Sequence, residues 1–209
     1  DYITIQQVSH KSFKPETYEP YAEKLVDYIR SYAPDAEIVF HETWSHSIDS
    51  YRYKRWGLHP DEMYSKLHNA YALAAGHLGL RVIPVGTAFQ NAKAKPLWDY
   101  QPTSVDTSKL AYPNDRNNLP DMSQSLHNVF YWTRDKDTGE WRLVNDGFHA
   151  NTNGQYLGGL VWYAFFFGRD PREVTFTPDR MTPTQAESLR EVANETVLLP
   201  ASSSGTDDR

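Results

Sequence analysis

Two periodicities alternate along the first part of the chain. Tyr2-Ile3-Thr4-Ile5 is β-branched with alternating character and predicts a strand. From about Pro15 to Tyr32, the residues Tyr21, Leu25, Tyr28, Ile29 and Tyr32 recur at helical spacing, and Ala33-Pro34-Asp35 stops the helix. Glu37 to Trp44 predicts a second strand, followed by a polar, aromatic loop from Ser45 to Leu58. His59-Pro60-Asp61 opens a second helix with Pro in its first turn. That helix carries Met63, Leu67, Ala70, Tyr71, Ala74 and Leu78 on its apolar positions and ends at Gly79. Arg81 to Val85 predicts a third strand. Strands alternating with helices imply a parallel sheet with crossover helices. The expected fold class is therefore α/β, a three-layer α/β/α sandwich around a flavodoxin-like parallel sheet covered on both faces.

Beyond Gly86 the pattern loosens. A short helical piece is expected over Thr87 to Ala94, and then Lys95 to Ser125 is polar and rich in Pro, Asn and Asp. Pattern-free loops of that length inside compact domains are usually functional or mobile. Asn128 to Trp132 and Glu140 to Val144 flank Asp137-Thr138-Gly139 and predict a β-hairpin. A helix from about Asn153 to Phe167 is apolar nearly all round, so it is expected to be buried. A last helix is expected from Thr184 to Val197. Residues 1–200 are read as a single domain and the Ser-rich 201–209 as a disordered tail. A domain seldom opens on a central strand, so the further expectation is that N-terminal strands of the sheet lie upstream of Asp1.

Composition narrows the function classes. Of the 209 residues, 39% are hydrophobic and 23% charged, with a formal net charge of -6. The acidic balance and the absence of a basic stripe argue against a nucleic-acid binder. The chain has no cysteine, which excludes disulfides, Cys-ligated zinc, iron–sulfur clusters and a cysteine nucleophile. The longest strongly apolar run, Leu160 to Phe167, is far short of the roughly 20 residues of a membrane span. Aromatic residues make up 14% of the chain, a content that serves either a sugar-binding cleft or core packing.

The chemistry concentrates in Asn145-Asp146-Gly147-Phe148-His149, just before the apolar helix. Thr152 and Gln155 fit a capping box opening that helix. One loop can thus present Asp146 and His149 to the same point, a carboxylate orienting an imidazole that serves as general base. The structural alternative is an Asp-Gly turn beside a helix-start histidine. A rival grouping for a metal is His41, Glu42, His46, His59 and Asp61. It lacks a His-Glu-x-x-His helix, and adjacent strand residues such as His41 and Glu42 point to opposite faces. No metal or cofactor is therefore expected. Ser9, Ser12, Ser45 and Ser47 lie near predicted strand ends, and none sits on a Gly-x-Ser-x-Gly elbow.

The longer string from Asp146 through Ala164 resembles the last conserved block of the SGNH (GDSL-type) hydrolases, and Phe167-Gly168-Arg169-Asp170-Pro171 resembles a bacterial branch of that superfamily from polysaccharide degraders. The opening strand, ending Ile5-Gln6-Gln7-Val8-Ser9, and the strand end Thr43-Trp44 are similar to the same branch. The resemblance implies a serine-type ester hydrolase with His149 as base and Asp146 as its orienting acid. It implies a substrate that is a small-molecule or glycan ester, above all an acetylated carbohydrate. Gln6, with Gln7 as fallback, is carried over as the oxyanion-binding side chain, and Trp44 as a substrate contact at the rim of the sheet. The family's Gly-Asp-Ser turn, which bears the nucleophile, has no counterpart here. The resemblance then implies a serine on a segment upstream of residue 1 or on a second polypeptide, and an exported bacterial protein. The competing readings are a non-catalytic carbohydrate-binding or interaction module, using an aromatic loop at Trp44, Tyr51, Tyr53 and Trp56, and a metal-dependent hydrolase.

Overall fold

The computed structural model describes residues 1–199; the stretch expected as a disordered tail lies outside them. Strands β1 (Tyr2–Ile5), β2 (Glu37–His41) and β3 (Arg81–Ile83) form a parallel sheet in the order β1-β2-β3. Ile3 lies opposite Ile38, and Phe40 opposite Val82. Helices α1 (Tyr21–Tyr32) and α3 (Pro60–Leu78) make the crossovers. Alternation along β2 divides the core in two. Ile38 and Phe40 pack with Val26 of α1 and with Met63, Leu67 and Tyr71 of α3. Val39 faces the other way, toward Val85 and Phe89 of α4 (Val85–Lys93), Leu157 and Val161 of α5 (Thr152–Phe167), and Leu189 of α6 (Pro183–Val197). Helices therefore cover both faces, and the three-layer α/β/α class read from the strand–helix alternation is the one observed.

Several elements differ from their expected form. The helix expected from Pro15 is split: Pro15–Thr17 is a single 3-10 turn, and α1 starts only at Tyr21, after Pro20. A proline has no N–H for a helical ladder, so it marks a helix start and not an interior. The face of α1 also differs. Val26 is buried and Ala22 and Ile29 pack against the core, while Tyr21, Leu25, Tyr28 and Tyr32 are exposed. Strand β2 stops at His41, three residues short of Trp44, and β3 stops at Ile83, where Pro84 lets α4 begin. The 45–58 loop contains a short helix, α2 (Arg52–Trp56), ended by Gly57 in the left-handed region.

The segment 95–125 is irregular but anchored. Trp98 is buried and donates its indole N–H to Ser188, the hydroxyl of Tyr100 donates to Asp49 at 2.7 Å, and the Thr103 amide donates to the same carboxylate. The hairpin forms as β4 (Phe130–Arg134) and β5 (Trp141–Asn145), antiparallel and separate from the parallel sheet. Helix α5 is capped by Asn151, whose side chain accepts from the amides of Asn153 and Gly154. The Thr152–Gln155 capping box is therefore displaced by one residue, because Asn151 reaches both free amides first. The box forms instead on α6, between Thr182 and Gln185. Helix α5 is not buried all round: Leu157, Leu160, Val161 and Ala164 are, whereas Phe167 is exposed and Trp162, Phe165 and Phe166 are half-buried.

Candidate active site

Strand β5 feeds directly into the Asp146 loop, and α5 starts immediately after it. The Asp146 amide donates to the carbonyl of Val129 at 2.9 Å, which closes the loop against the hairpin. The Ser47 amide donates to the carbonyl of Gly147 at 2.6 Å. Gly147 suits this close approach, because a Cβ there would lie 3.1 Å from Cβ of Ser50 and 3.2 Å from its Cα, so the neighbour would have to give by a few tenths of an ångström. Across the sheet, the indole N–H of Trp44 donates to the carbonyl of Phe148 at 3.0 Å. Trp44 follows the C-terminal end of β2, so this bond places the Asp146–His149 loop at the carboxyl rim of the parallel sheet, where open α/β folds bind their ligands.

Within the loop the two side chains meet. Nδ1 of His149 lies 2.9 Å from Oδ1 and 3.1 Å from Oδ2 of Asp146, and the His149 backbone amide also donates to Oδ1. The Asp146 side chain is 6% exposed and that of His149 is 66% exposed. A buried carboxylate accepting from Nδ1–H holds the imidazole in the tautomer whose Nε2 is basic. Nε2 has no hydrogen-bond partner among the described residues, and the side chain that carries it is exposed. The Phe148 ring lies beside His149 at 4.2 Å between centroids, tilted by 45°, and the guanidinium of Arg52 lies 4.2 Å above the Phe148 ring. Arg52 had no distinguishing mark in the sequence; its place beside the loop comes from the α2 turn.

The other predicted site residues divide. Gln6 follows the last residue of β1, at the same rim as Trp44, and is exposed. The amide of Gln7 is committed to Thr17, donating to its carbonyl at 3.0 Å and its hydroxyl at 3.2 Å, so the fallback donor is occupied locally. Trp44 stacks face to face on Phe89 at 4.7 Å, and its indole also borders a shallow groove with His41, Gly154, Gly158 and Trp162. The aromatic loop does not form a sugar platform, because Tyr53 is buried and donates to the His46 carbonyl, while Trp56 packs between Phe13 and His46. Of that group only Tyr51 is well exposed.

The five residues considered for a metal do not converge. His41 accepts a hydrogen bond from the indole of Trp162, and burial pushes it down to about 4. Glu42, on the opposite face, is buried and bonds Nδ1 of His68 at 2.8 Å and the amide of Thr87 at 2.7 Å. It thereby caps the N-terminus of α4, where a negative charge is favourable. His68 carried no signal in the sequence beyond its helical position; its contact with Glu42 raises its pKa. Burial, with Arg52 nearby, pushes His46 down to about 3. His59 and Asp61 form an exposed pair 3.7 Å apart. Among the described residues, the one grouping of three possible ligands is Glu19, Glu23 and His77, all exposed.

None of the four serines considered as internal nucleophiles touches His149. Ser12 donates to the Ser9 carbonyl, Ser45 accepts from Lys93, and Ser47 is buried with an unbonded hydroxyl.

Residues 1–116 match the family model described as a domain of unknown function, DUF4886. The chain belongs to the DUF4886 family. A crystal structure of a DUF4886 family protein from Bacteroides uniformis superposes on 96% of the chain with a TM-score of 0.69 and 22% identity. The fold is thus that of a solved family member, and it extends past the matched segment through α5 and α6. The chain spans 63% of the length of that relative. A second solved structure, from Slackia heliotrinireducens and described as a candidate SGNH hydrolase, covers 78% of the chain at a TM-score of 0.44 and 18% identity. No match is found among curated proteins.

Proposed function

We propose that this DUF4886 chain contributes the acid–base half of a serine-type ester hydrolase acting on carbon–oxygen esters, with acetyl groups on a carbohydrate as the substrate class. One observation carries the reading: a buried carboxylate within 2.9 Å of Nδ1 of an exposed histidine, with Nε2 free at the carboxyl rim of a parallel sheet. On this reading the nucleophilic serine is one outside the described residues, on a segment preceding Asp1 or on a second polypeptide. Supporting this, no serine hydroxyl among the described residues bonds His149. Among the described residues strand β1 also pairs only with β2, which leaves its outer edge open beside the exposed Tyr2. A strand added at that edge ends next to Gln6.

In the reaction, the serine Oγ attacks the ester carbonyl carbon and its proton passes to Nε2 of His149. Asp146 stabilises the imidazolium that forms. The Gln6 amide donates to the developing oxyanion, a contact of roughly 3 kcal/mol in comparable sites. Collapse breaks the bond to the sugar oxygen, which leaves with the proton from His149. Water then gives a proton to His149 and attacks the acyl-enzyme carbonyl carbon; the bond to the serine Oγ breaks, His149 returns that proton to Oγ, and acetate leaves. Tyr131, partly exposed on the strand paired with the one that leads into Asp146, is the aromatic surface suited to a sugar; Trp141 lies on the opposite face, stacked on Tyr112.

The test is turnover of p-nitrophenyl acetate and of an acetylated xylo-oligosaccharide by the full-length protein and its His149→Ala variant. Loss of turnover with an unchanged circular-dichroism spectrum is expected. Unchanged turnover removes His149 from the mechanism, and glycan binding without any hydrolysis by the wild type favours the binding-module reading.

A further inference from the structure

A second cavity, lined by neither Asp146 nor His149 but adjoining their loop through Ser47, lies between the C-terminal half of α4, the start of α3 and the 98–101 segment. Its volume is about 470 Å³, within the range of small-molecule sites. Gln90, Lys93, Ser47, Tyr100, Gln101 and His127 line it, with Asp61 and Asp99 at its exposed rim. Gln90 and Lys93 are three residues apart on α4 and so share a face.

Lys93 is the unusual group. Lys66, Lys95 and Lys109 each lie within 2.8 to 3.0 Å of a carboxylate. The Lys93 ammonium, in a more desolvated place, has no carboxylate partner among the described residues; its Nζ donates to the hydroxyl of Ser45 at 2.8 Å. Burial pushes it down to about 8, which still leaves it charged at neutral pH. A half-buried ammonium with no salt-bridged carboxylate, and only a more distant attraction from Asp61, gains from a closer anionic partner. Two further lining groups, the Gln90 Oε1 and the Ser47 hydroxyl, are buried without hydrogen-bond partners. Ser45 itself does not line the cavity, so the Ser45–Lys93 contact anchors the ammonium and is not an exposed nucleophile–base pair.

We propose that this cavity binds a monosaccharide-sized carboxylate, such as a sugar acid, with Lys93 as the cation that meets the carboxylate. A single ammonium facing two rim carboxylates suits a monoanion and disfavours a dianionic phosphate. The flanking amides and hydroxyls suit sugar hydroxyls. This assignment stands independently of the ester-hydrolase reading.

The experiment is calorimetric titration of the full-length protein with sodium D-glucuronate, D-glucose and inorganic phosphate. Glucuronate binding is expected, at least about ten-fold tighter than glucose, with Lys93→Met weakening it by at least about ten-fold. Met matches the Lys stem without its charge, so the fold should persist. Asp61→Asn keeps the acceptor for Gln90, removes a repelling rim charge, and should tighten glucuronate binding by roughly two- to five-fold. No glucuronate binding, equal binding of glucose, tighter binding of phosphate, or a Lys93→Met or Asp61→Asn variant that binds as wild type each overturns the proposal. His149→Ala should bind glucuronate as wild type does, which separates this site from the fate of the hydrolase reading.

Discussion

The indole nitrogen of Trp44 and the carbonyl oxygen of Phe148 are 3.0 Å apart, although 104 residues separate them in sequence. This bond ties the rim of the parallel sheet to the loop that carries Asp146 and His149. Trp44→Phe keeps a ring to stack on Phe89 but removes the donor. It should cost about 1 to 2 kcal/mol of stability and lower kcat, because the loop is positioned less well. Thermal unfolding and steady-state kinetics with p-nitrophenyl acetate check both parts.

Asp146→Asn preserves shape but favours the wrong imidazole tautomer. Ester turnover should fall by roughly 10⁴-fold, as for the equivalent change in serine hydrolase triads. An Asn variant retaining more than about a tenth of wild-type kcat would remove Asp146 as the orienting acid.

Acid should destabilise the protein through buried histidines. His41 and His46 are pushed down to about 4 and about 3 by burial, while the unfolded chain protonates them near pH 6.5. The unfolded state then binds more protons, so the stability these groups contribute is present above pH 6.5 and is lost as pH falls toward 4 and below. Each contributes a slope of up to about 1.4 kcal/mol per pH unit in that window. Urea titrations between pH 7 and pH 4.5 measure it. His41→Gln, which keeps an acceptor for Trp162, should reduce the slope by one histidine's share.

His68 should act in the opposite sense. Its pKa is raised by the hydrogen bond from its ring to Glu42. Its contribution is fully present below the unfolded value near 6.5 and is lost as pH rises through the higher folded value. The effect is small because the ring is half-exposed. An NMR titration of the His68 ring should give a raised midpoint, and Glu42→Gln should return it toward the ordinary value. The same variant weakens the cap on α4 and should lower the melting temperature.

Two glycines of α5 should respond in opposite directions to alanine. A Cβ at Gly154 would lie 2.3 Å from the Leu126 carbonyl and 2.7 Å from the Phe89 ring, so Gly154→Ala must push backbone aside and destabilise. Gly159 has nothing within 4 Å, and Gly159→Ala should stabilise by roughly 0.5 to 1 kcal/mol through helix propensity. Melting temperatures of the two variants provide the comparison.

The sequence by itself determined the α/β class, the two crossover helices, the hairpin and the Asp146–His149 pair, because all of these are local. Strand and helix periods are read over a few residues, and an acid and a base three positions apart in one loop need no distant partner to meet. Tertiary structure decided which face of α1 is buried: tyrosines at helical spacing look like a core stripe, yet Val26 with Ala22 and Ile29 faces the sheet. It also decided that Glu42 belongs to His68 and Thr87 and not to His41, that Gln7 is occupied by Thr17, and that Lys93 ends in a cavity without a counter-ion. Those outcomes rest on contacts between residues 10 to 48 positions apart, which depend on how helices pack across a sheet. Local periodicity carries no information about such pairings, so only the folded chain could fix them.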